Sequence, residues 1–468
     1  MSDRAKKIII IGAGPAGLTA ALEIVKSKSY SQQNMTLTVL ESSETVGGLA
    51  KNVPWNGHIL DIGGHRYFTK MPKIADWWET RSRKNGNFLE TRQRKVKILF
   101  ENSLYDYPVE FSMDTLKKLG LGRSLGIGCS YLSARCFPKK EDSLENFYIN
   151  RFGQQLYDLF FKEYTEKLCG ESLEDISPDW GRQRVRGLSL SGILKGKFDK
   201  KKTENESVCT DSDHFRYPKN GPGAMWEAAA LEITEMGGAI RFGCRVETVL
   251  LNGRQTAGVR LENGEQLEAD EIISTMPLPK LIRAISFFKT DTAEENQLQE
   301  MKQIAAGLKY RSVVCVAIET EPGACTDILD NTWIYIQNPG LKLGRVQIYN
   351  NWFGIQEGPV LLGMEFFCGE NDASWKQSDE DWIKLAQHDG FHAGIFREKS
   401  GSIKNAQVIR ARDAYPSYSG AYSQKEQVLQ FIDGIHGLQT AGRNGTHTYC
   451  NMDRVMENAM KCADNIIK

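Results

Sequence analysis

The chain has 468 residues, is 41% hydrophobic and 25% charged, and carries Lys+Arg and Asp+Glu at 59 each. This length calls for two or three structural units, and the neutral balance argues against a nucleic-acid binder, which would carry a basic excess. Ten cysteines without a CxxC pair argue against metal spacing and a disulfide framework, so free thiols in a reducing cytoplasm are expected.

The N-terminal "KIIIIGAGPAGLTAALEIV" reads as strand, glycine turn and helix. Ile8 to Ile11 form the continuous β-branched run of a strand buried on both faces. The apolar run is too short for a signal peptide and leads into a glycine loop instead of a cleavage site. Gly12, Gly14 and Gly17 have the G-x-G-x-x-G spacing: the first allows a tight turn, the second admits a pyrophosphate to the backbone, the third packs helix on strand. A pyrophosphate would then sit at the positive helix N-terminus. "LTVLE" is a second buried strand. It ends in Glu41, placed to accept a hydrogen bond from a ribose hydroxyl. Strand, helix and strand make a βαβ unit. The bound dinucleotide is FAD or NAD on this evidence alone.

Residues 72 to 214 change character. "ENFYINRFGQQLYDLFFKEYTEKLCG" has helical spacing and many aromatics, and the charged stretch 197–213 reads as a surface loop. No stretch approaches the ~20 apolar residues that span a membrane. The best candidate for a peripheral contact is "GLGRSLGIGCSYLSARCF", from Gly120. Strand signals return at Phe215, where short β runs alternate with "NG" turns. More strands follow in "RSVVCVAIE", "WIYIQ", "RVQIYNNW" and "LLGMEFF". The last segment, "LQTAGRNGTHTYCNMDRVMENAMKCADNII", reads as strand, loop and helix. The expected fold is α/β: a Rossmann-like nucleotide-binding domain from 1–71, 215–280 and 410–468, a mainly helical cap at 72–214, and a mixed β-sheet substrate domain at 281–409.

"ESSETVGGLAKN", with Gly47 and Gly48 after the acid, "RVETV" around Val246 and "ADEIISTMP" resemble the FAD-dependent amine oxidase and protoporphyrinogen oxidase superfamily. The resemblance implies FAD over NAD. It implies FAD contacts from Gly12, Gly14, Ala16, Gly17, Glu41, Gly47, Gly48, Leu49 and Val246, and a narrower resemblance within it adds Gly64, His65, Gly442, Arg443, Asn451, Met452 and Asp453.

Within that superfamily, "GGHRYFTK", "YDYPVEF", "GRQRVRG", "NTWIYIQNPGLKLGRVQIYNNW", "RDAYPSY" and "GRNGTHTYCNMD" resemble, in order, segments of the UDP-galactopyranose mutases. These flavoenzymes interconvert the pyranose and furanose forms of a nucleotide-activated galactose in a redox-neutral reaction through reduced flavin N5. The resemblance implies a nucleoside-diphosphate sugar substrate and FAD in its reduced form, with NAD(P)H as candidate reductant. Arg184 and Arg345 would clamp the diphosphate, because arginine forks match phosphate oxygens. Tyr107, Tyr335, Tyr415 and Tyr449 would bind substrate, Trp333 would line the sugar site, and His65 would lie at the flavin edge. Alternative readings stand beside these. Arginines in helices and strands commonly form surface ion pairs, the shared face of Trp333 and Tyr335 suits a plain core, and Asn451 or Asp453 suits a helix cap. His65 by itself suits a packed loop.

The chain departs from the mutase pattern at Arg66, at Lys70 (where the family has a second histidine) and at Glu110 (where it has an amide). The rival reading is a net redox enzyme, an oxidase or desaturase with the same FAD cradle. It predicts an apolar site or aromatic cage and no paired arginine clamp. A third reading is a flavin-binding scaffold without activity.

Overall fold

The computed structural model describes residues 4–84, 86, 88–109, 112–184, 214–289, 291–398 and 403–468. The expected loop at 197–213 and the departure at Glu110 lie outside the described residues. The chain divides into two compact units, one of Met1–Thr91, Arg216–Lys309 and Gly420–Lys468, the other of Arg92–Phe215 and Tyr310–Ser419.

The first unit is built on a five-stranded parallel sheet. Its spatial order is Leu438–Thr440, Glu271–Ser274, Lys6–Ile11, Met35–Leu40 and Ala239–Arg241. The isoleucine run at its centre alternates faces. Ile8 and Ile10 enter a core shared with the helices Pro15–Val25 and Met452–Ile467. Ile9 and Ile11 enter a second core with Val249, Leu251, Val259 and Leu281. Both faces are therefore covered, which is why the strand shows no polar alternation. The second core is closed by a four-stranded mixed sheet, Gln266–Glu268, Gln255–Leu261, Val246–Asn252 and Ile285–Lys289. A hairpin, Asn52–Trp55 with His58–Asp61, turns at Asn56 and Gly57. Both turn residues have positive φ (45° and 78°), the Asn-Gly signature of a type I′ turn.

The second unit carries a seven-stranded sheet in the order Ile403–Pro416, Tyr310–Thr320, Val360–Cys368, Leu343–Ile348, Trp333–Ile336, Val96–Phe100 and Ser103–Asp106. All pairings are antiparallel except Trp333–Ile336 with Val96–Phe100. Helices Met113–Leu119, Leu121–Cys136, Leu144–Phe152, Glu163–Cys169 and Asp179–Arg184 belong to the same unit. Two local readings of the sequence change here. Residues 96–106, expected within a helical region, form a hairpin. Its turn at Glu101 and Asn102 (φ 48° and 59°) has the primed-turn conformation without a glycine, so the usual marker is missing. The strand expected through "RVQIYNNW" ends at Ile348, and Tyr349–Phe353 turn as a helix ending at Gly354 in the left-handed region.

Candidate functional site

In the first unit, the glycine loop is shaped by contacts only glycine permits. Gly12 has φ +101°, and a Cβ there would stand 2.2 Å from Thr275 Oγ1. A Cβ on Gly17 would lie 1.8 Å from the Gly12 carbonyl oxygen, so the helix rests directly on the turn. Gly14 is different: it faces Gly48, with 3.7 Å between its would-be Cβ and the Gly48 Cα. Two backbones bare of side chains thus flank the start of the helix Pro15–Val25. Its N-cap is Gly14, so no side chain caps the first turn, and Pro15 opens it. A helix N-terminus without a side-chain cap, beside paired glycines, fits a pyrophosphate. Ala16 lies behind the loop, where a Cβ on Gly442 (φ +82°) would approach the Ala16 Cβ to 2.9 Å. Leu49 follows in the short turn Gly48–Ala50, and Val246 is buried at the start of its strand.

Glu41 braces this loop. Its Oε2 accepts from Ala13 N at 2.7 Å, and its Oε1 accepts from Ser43 N and Ser43 Oγ at 2.8 and 2.9 Å. Oε2 retains acceptor capacity for a ribose hydroxyl. Gly47 N closes the arrangement by donating to Ala13 O at 2.9 Å.

The "DIGGHRYFTK" segment leaves the hairpin at Asp61. Gly63 and Gly64 take φ of 105° and 68° and turn the chain back, so that His65 meets the acid four residues earlier. His65 Nδ1 lies 2.5 Å from Asp61 Oδ1, and His65 N donates to Asp61 Oδ2 at 2.6 Å. Tyr217 Oη donates to the same Oδ2 at 2.9 Å. Asp61 is buried. A carboxylate on Nδ1 fixes the imidazole orientation and leaves Nε2 as its working edge. Sequence reasoning missed Asp61 and Tyr217. The signal for Asp61 was its place at the strand end before the two glycines, whereas Tyr217 comes from a remote strand. Arg66 is half-buried and Lys70 exposed.

The segment also reaches the C-terminal helix, because Thr69 Oγ1 donates to Asp453 Oδ2 at 3.2 Å. Burial raises the Asp453 carboxyl above its ordinary pKa, against the hydrogen bonds it accepts. Asn451 occupies the N-cap position of Met452–Ile467 but makes no side-chain cap hydrogen bond. Arg443 Nη2 donates to Cys450 O at 2.8 Å, and its guanidinium lies 4.8 Å from the Tyr449 ring centroid.

The second unit gathers aromatic and arginine side chains on its sheet and adjoining helices. Tyr335 packs on Tyr107 and Tyr164 with ring centroids 4.8 and 4.9 Å apart. Arg184 lies over Trp180 at 4.2 Å and over Tyr415 at 5.9 Å. Arg94 lies over Trp333 at 5.6 Å and over Tyr107 at 5.8 Å. Tyr335 pairs across the strands with Arg345. Arg345 in turn forms a fork with fully buried Glu365, Nε to Oε2 at 2.8 Å and Nη2 to Oε1 at 2.9 Å. Gln347 donates to that carboxylate as well. Burial works against the Arg345 charge, yet Glu365 and the surrounding phenols hold its pKa well above the ordinary value. Burial likewise pushes the Tyr164 phenol far up, so it stays a neutral donor.

The second unit thus brings together Tyr107, Arg184, Trp333, Tyr335, Arg345 and Tyr415 from the sequence reading. Tyr449 belongs to the first unit, beside Arg443. Arg94, Tyr164 and Glu365 were not read from sequence, since each is marked only by partners distant along the chain. Among the described residues, no helix is long and apolar enough to cross a membrane, and no group of His, Cys, Asp and Glu side chains could hold a metal ion.

A family model for flavin-containing amine oxidoreductases matches residues 15–349. The coproporphyrinogen III oxidase of Bacillus subtilis (strain 168) is 22% identical over 294 residues, 59% of this chain and 61% of that protein. A zeta-carotene-forming phytoene desaturase of Myxococcus xanthus is 40% identical over 294 residues, 59% of this chain and 54% of that protein. The chain thus matches less than two thirds of the length of these relatives. A crystal structure of reduced UDP-galactopyranose mutase shares the fold with a TM-score of 0.81 at 19% identity, covering 99% of this chain and 94% of that one. With the family model covering most of its length and the glycine cradle formed to fit a dinucleotide, the chain belongs to the flavin-containing amine oxidoreductase family and is a FAD-dependent enzyme.

Proposed function

We propose that the protein acts on a nucleoside-diphosphate sugar in a mutase-like, redox-neutral isomerisation between pyranose and furanose forms. The observation that carries this reading is the arginine and tyrosine cluster of the second unit, with Arg94, Arg184 and Arg345 set among neutral phenols. Such a set suits a diphosphate and a hydroxyl-rich sugar better than an apolar polyene or an amine. The fold shared with a UDP-galactopyranose mutase supports the same choice.

The roles follow from the chemistry of each side chain. Gly14, Gly48 and the helix N-terminus hold the FAD pyrophosphate on a loop that Gly12 and Gly17 shape, with Glu41 at the ribose. Val246, Leu49, Gly442, Arg443, Asn451, Met452 and Asp453 complete the cofactor-binding set. When bound and reduced, FAD supplies a nucleophilic ring nitrogen, which the protein need not provide. Arg184 takes the charge that the diphosphate gains as it leaves the sugar. Arg345 has its Nε and Nη2 arms on Glu365, which balances its charge, so towards a diphosphate it orients more than it attracts. In the second unit Tyr107, Tyr335 and Tyr415 donate hydrogen bonds and Trp333 lines the sugar; in the first, Tyr449 donates from beside Arg443, and His65 orients at the flavin edge through its Asp61-fixed imidazole.

The test is to titrate dithionite-reduced protein with UDP-galactopyranose and UDP-galactofuranose, following product and flavin spectrum together. Ring-isomer product with the flavin still reduced is expected. Stoichiometric oxidation of a substrate by oxidised flavin, with no isomer formed, sinks the reading. That outcome would favour the second one, an oxidase or desaturase with net hydride removal, which the curated sequence relatives support.

A further inference from the structure

We propose that the helix Leu121–Cys136, with the short helix Met113–Leu119 before it, is a membrane-surface element that seats the protein on an anionic lipid bilayer. Of the eleven large hydrophobic side chains exposed among the described residues, five fall between 113 and 137. They are Met113, Leu121, Leu125, Leu132 and Phe137, exposed to 70, 77, 63, 63 and 79%. Leu121, Leu125, Gly128 and Leu132 follow the i, i+4, i+7, i+11 spacing of one helix face, and all four are exposed.

The outward stripe is not a misplaced core, because the opposite face is already anchored. Ile127 and Ala134 are buried. A Cβ on Gly126 would meet the Gln155 side chain at 2.4 Å, and one on Gly153 would meet Tyr131 N at 2.7 Å. The helix therefore seats against the segment 153–155 by small residues and keeps its leucines outside. A soluble surface gains nothing from such a stripe, whereas an interfacial helix buries it among acyl chains.

Charge selects the occupant. Between residues 112 and 140 stand Lys117, Lys118, Arg123, Arg135, Lys139 and Lys140 against the single acid Asp114; Lys118 pairs with Asp114, Arg123 with Glu101 and Lys140 with Asp142, so the segment's excess positive charge rests on Lys117, Arg135 and Lys139. All six cations are exposed, although the chain as a whole is neutral. A second copy docking the same face would set this positive rim against itself. An anionic leaflet complements it, and the leucines then enter the headgroup boundary. Since no described helix spans a bilayer, the contact lies on the membrane and does not cross it.

The holoprotein is floated with vesicles of phosphatidylcholine alone and of phosphatidylcholine with phosphatidylglycerol, at low and high salt. Recruitment to the phosphatidylglycerol vesicles is expected, weakened by salt. The double variant Leu125→Glu/Leu132→Glu should reduce it by more than about tenfold, and Lys139→Glu/Lys140→Glu should also lower it. Flavin content and melting temperature should stay unchanged in both. Absence of recruitment at low salt, or full recruitment of the leucine variant, overturns the proposal. A dimer in light scattering that the leucine variant dissociates also overturns it and assigns the face to a second copy.

Discussion

Glu365→Gln removes one charge from the interior while keeping the side chain's shape. Glu365 is fully buried and takes both arms of the Arg345 fork as well as a bond from Gln347. The amide keeps one acceptor oxygen but turns an NH2 towards a guanidinium that is itself nearly buried. Breaking one partner of a buried ion pair costs ~3–5 kcal/mol, because the survivor is left uncompensated. The retained oxygen places this variant near ~3 kcal/mol, and at ~2–4 °C per kcal/mol for a unit of this size the melting temperature should fall roughly 6–12 °C. Arg345→Met alone should cost a similar amount, now from the stranded carboxylate. The double variant Arg345→Met/Glu365→Gln leaves a neutral amide facing Gln347, and the two amides can share a hydrogen bond. Its loss should fall short of the sum of the single losses by ~2 kcal/mol or more. Urea unfolding followed by far-ultraviolet circular dichroism measures all four corners of the cycle. Losses that add within ~0.5 kcal/mol would refute the pairing as the source of the cost.

The glycine loop separates two roles: Gly17→Ala drives a Cβ into the Gly12 carbonyl and should reduce soluble, folded protein, whereas Gly14→Ala (φ −82°) has room in the fold. The second variant should therefore melt normally yet purify without flavin absorbance, and normal flavin content would remove Gly14 from the cradle. Asp61→Asn should cost ~2–3 kcal/mol by weakening charge-assisted bonds to His65 and Tyr217, and should release His65 from a single tautomer. Unaltered imidazole nitrogen shifts in NMR would contradict this. Asp453, whose folded pKa is raised chiefly by burial, favours the folded state below its unfolded pKa and loses that contribution as pH rises through the folded value. Asp453→Asn should thus stabilise the protein at neutral pH and make little difference near pH ~4; thermal melts of both proteins across that range decide it, and an equal effect at both ends counts against the burial argument. Burial holds the Cys450 and Cys462 thiols up at about 11. Brief alkylation at neutral pH should therefore mark exposed Cys129 and Cys136 and spare these two, as read by peptide mass mapping.

The sequence by itself determined what depends on neighbours along the chain. Gly12, Gly14 and Gly17 announce a dinucleotide loop because their need for space and for positive φ is local, and Ile8 to Ile11 announce a strand with two buried faces because side chains alternate on a fixed period. "ESSETVGGLAKN", "RVETV" and "ADEIISTMP" carried the family, and the ordered motifs from "GGHRYFTK" to "GRNGTHTYCNMD" suggested most of the candidate substrate residues. Only the tertiary structure decided what those residues touch. That Arg345 meets Glu365 depends on the register of two antiparallel strands. That Arg94 joins Trp333 depends on a parallel pairing between residues far apart in the chain. Asp61 acquires Tyr217 only when a distant strand delivers it. The hairpin at 96–106 stayed hidden because Glu101 and Asn102 form a glycine turn's geometry without a glycine. Backbone conformation and burial period are written in short windows of sequence, whereas charge pairing is fixed by cross-strand register, and that exists only once the sheet has formed.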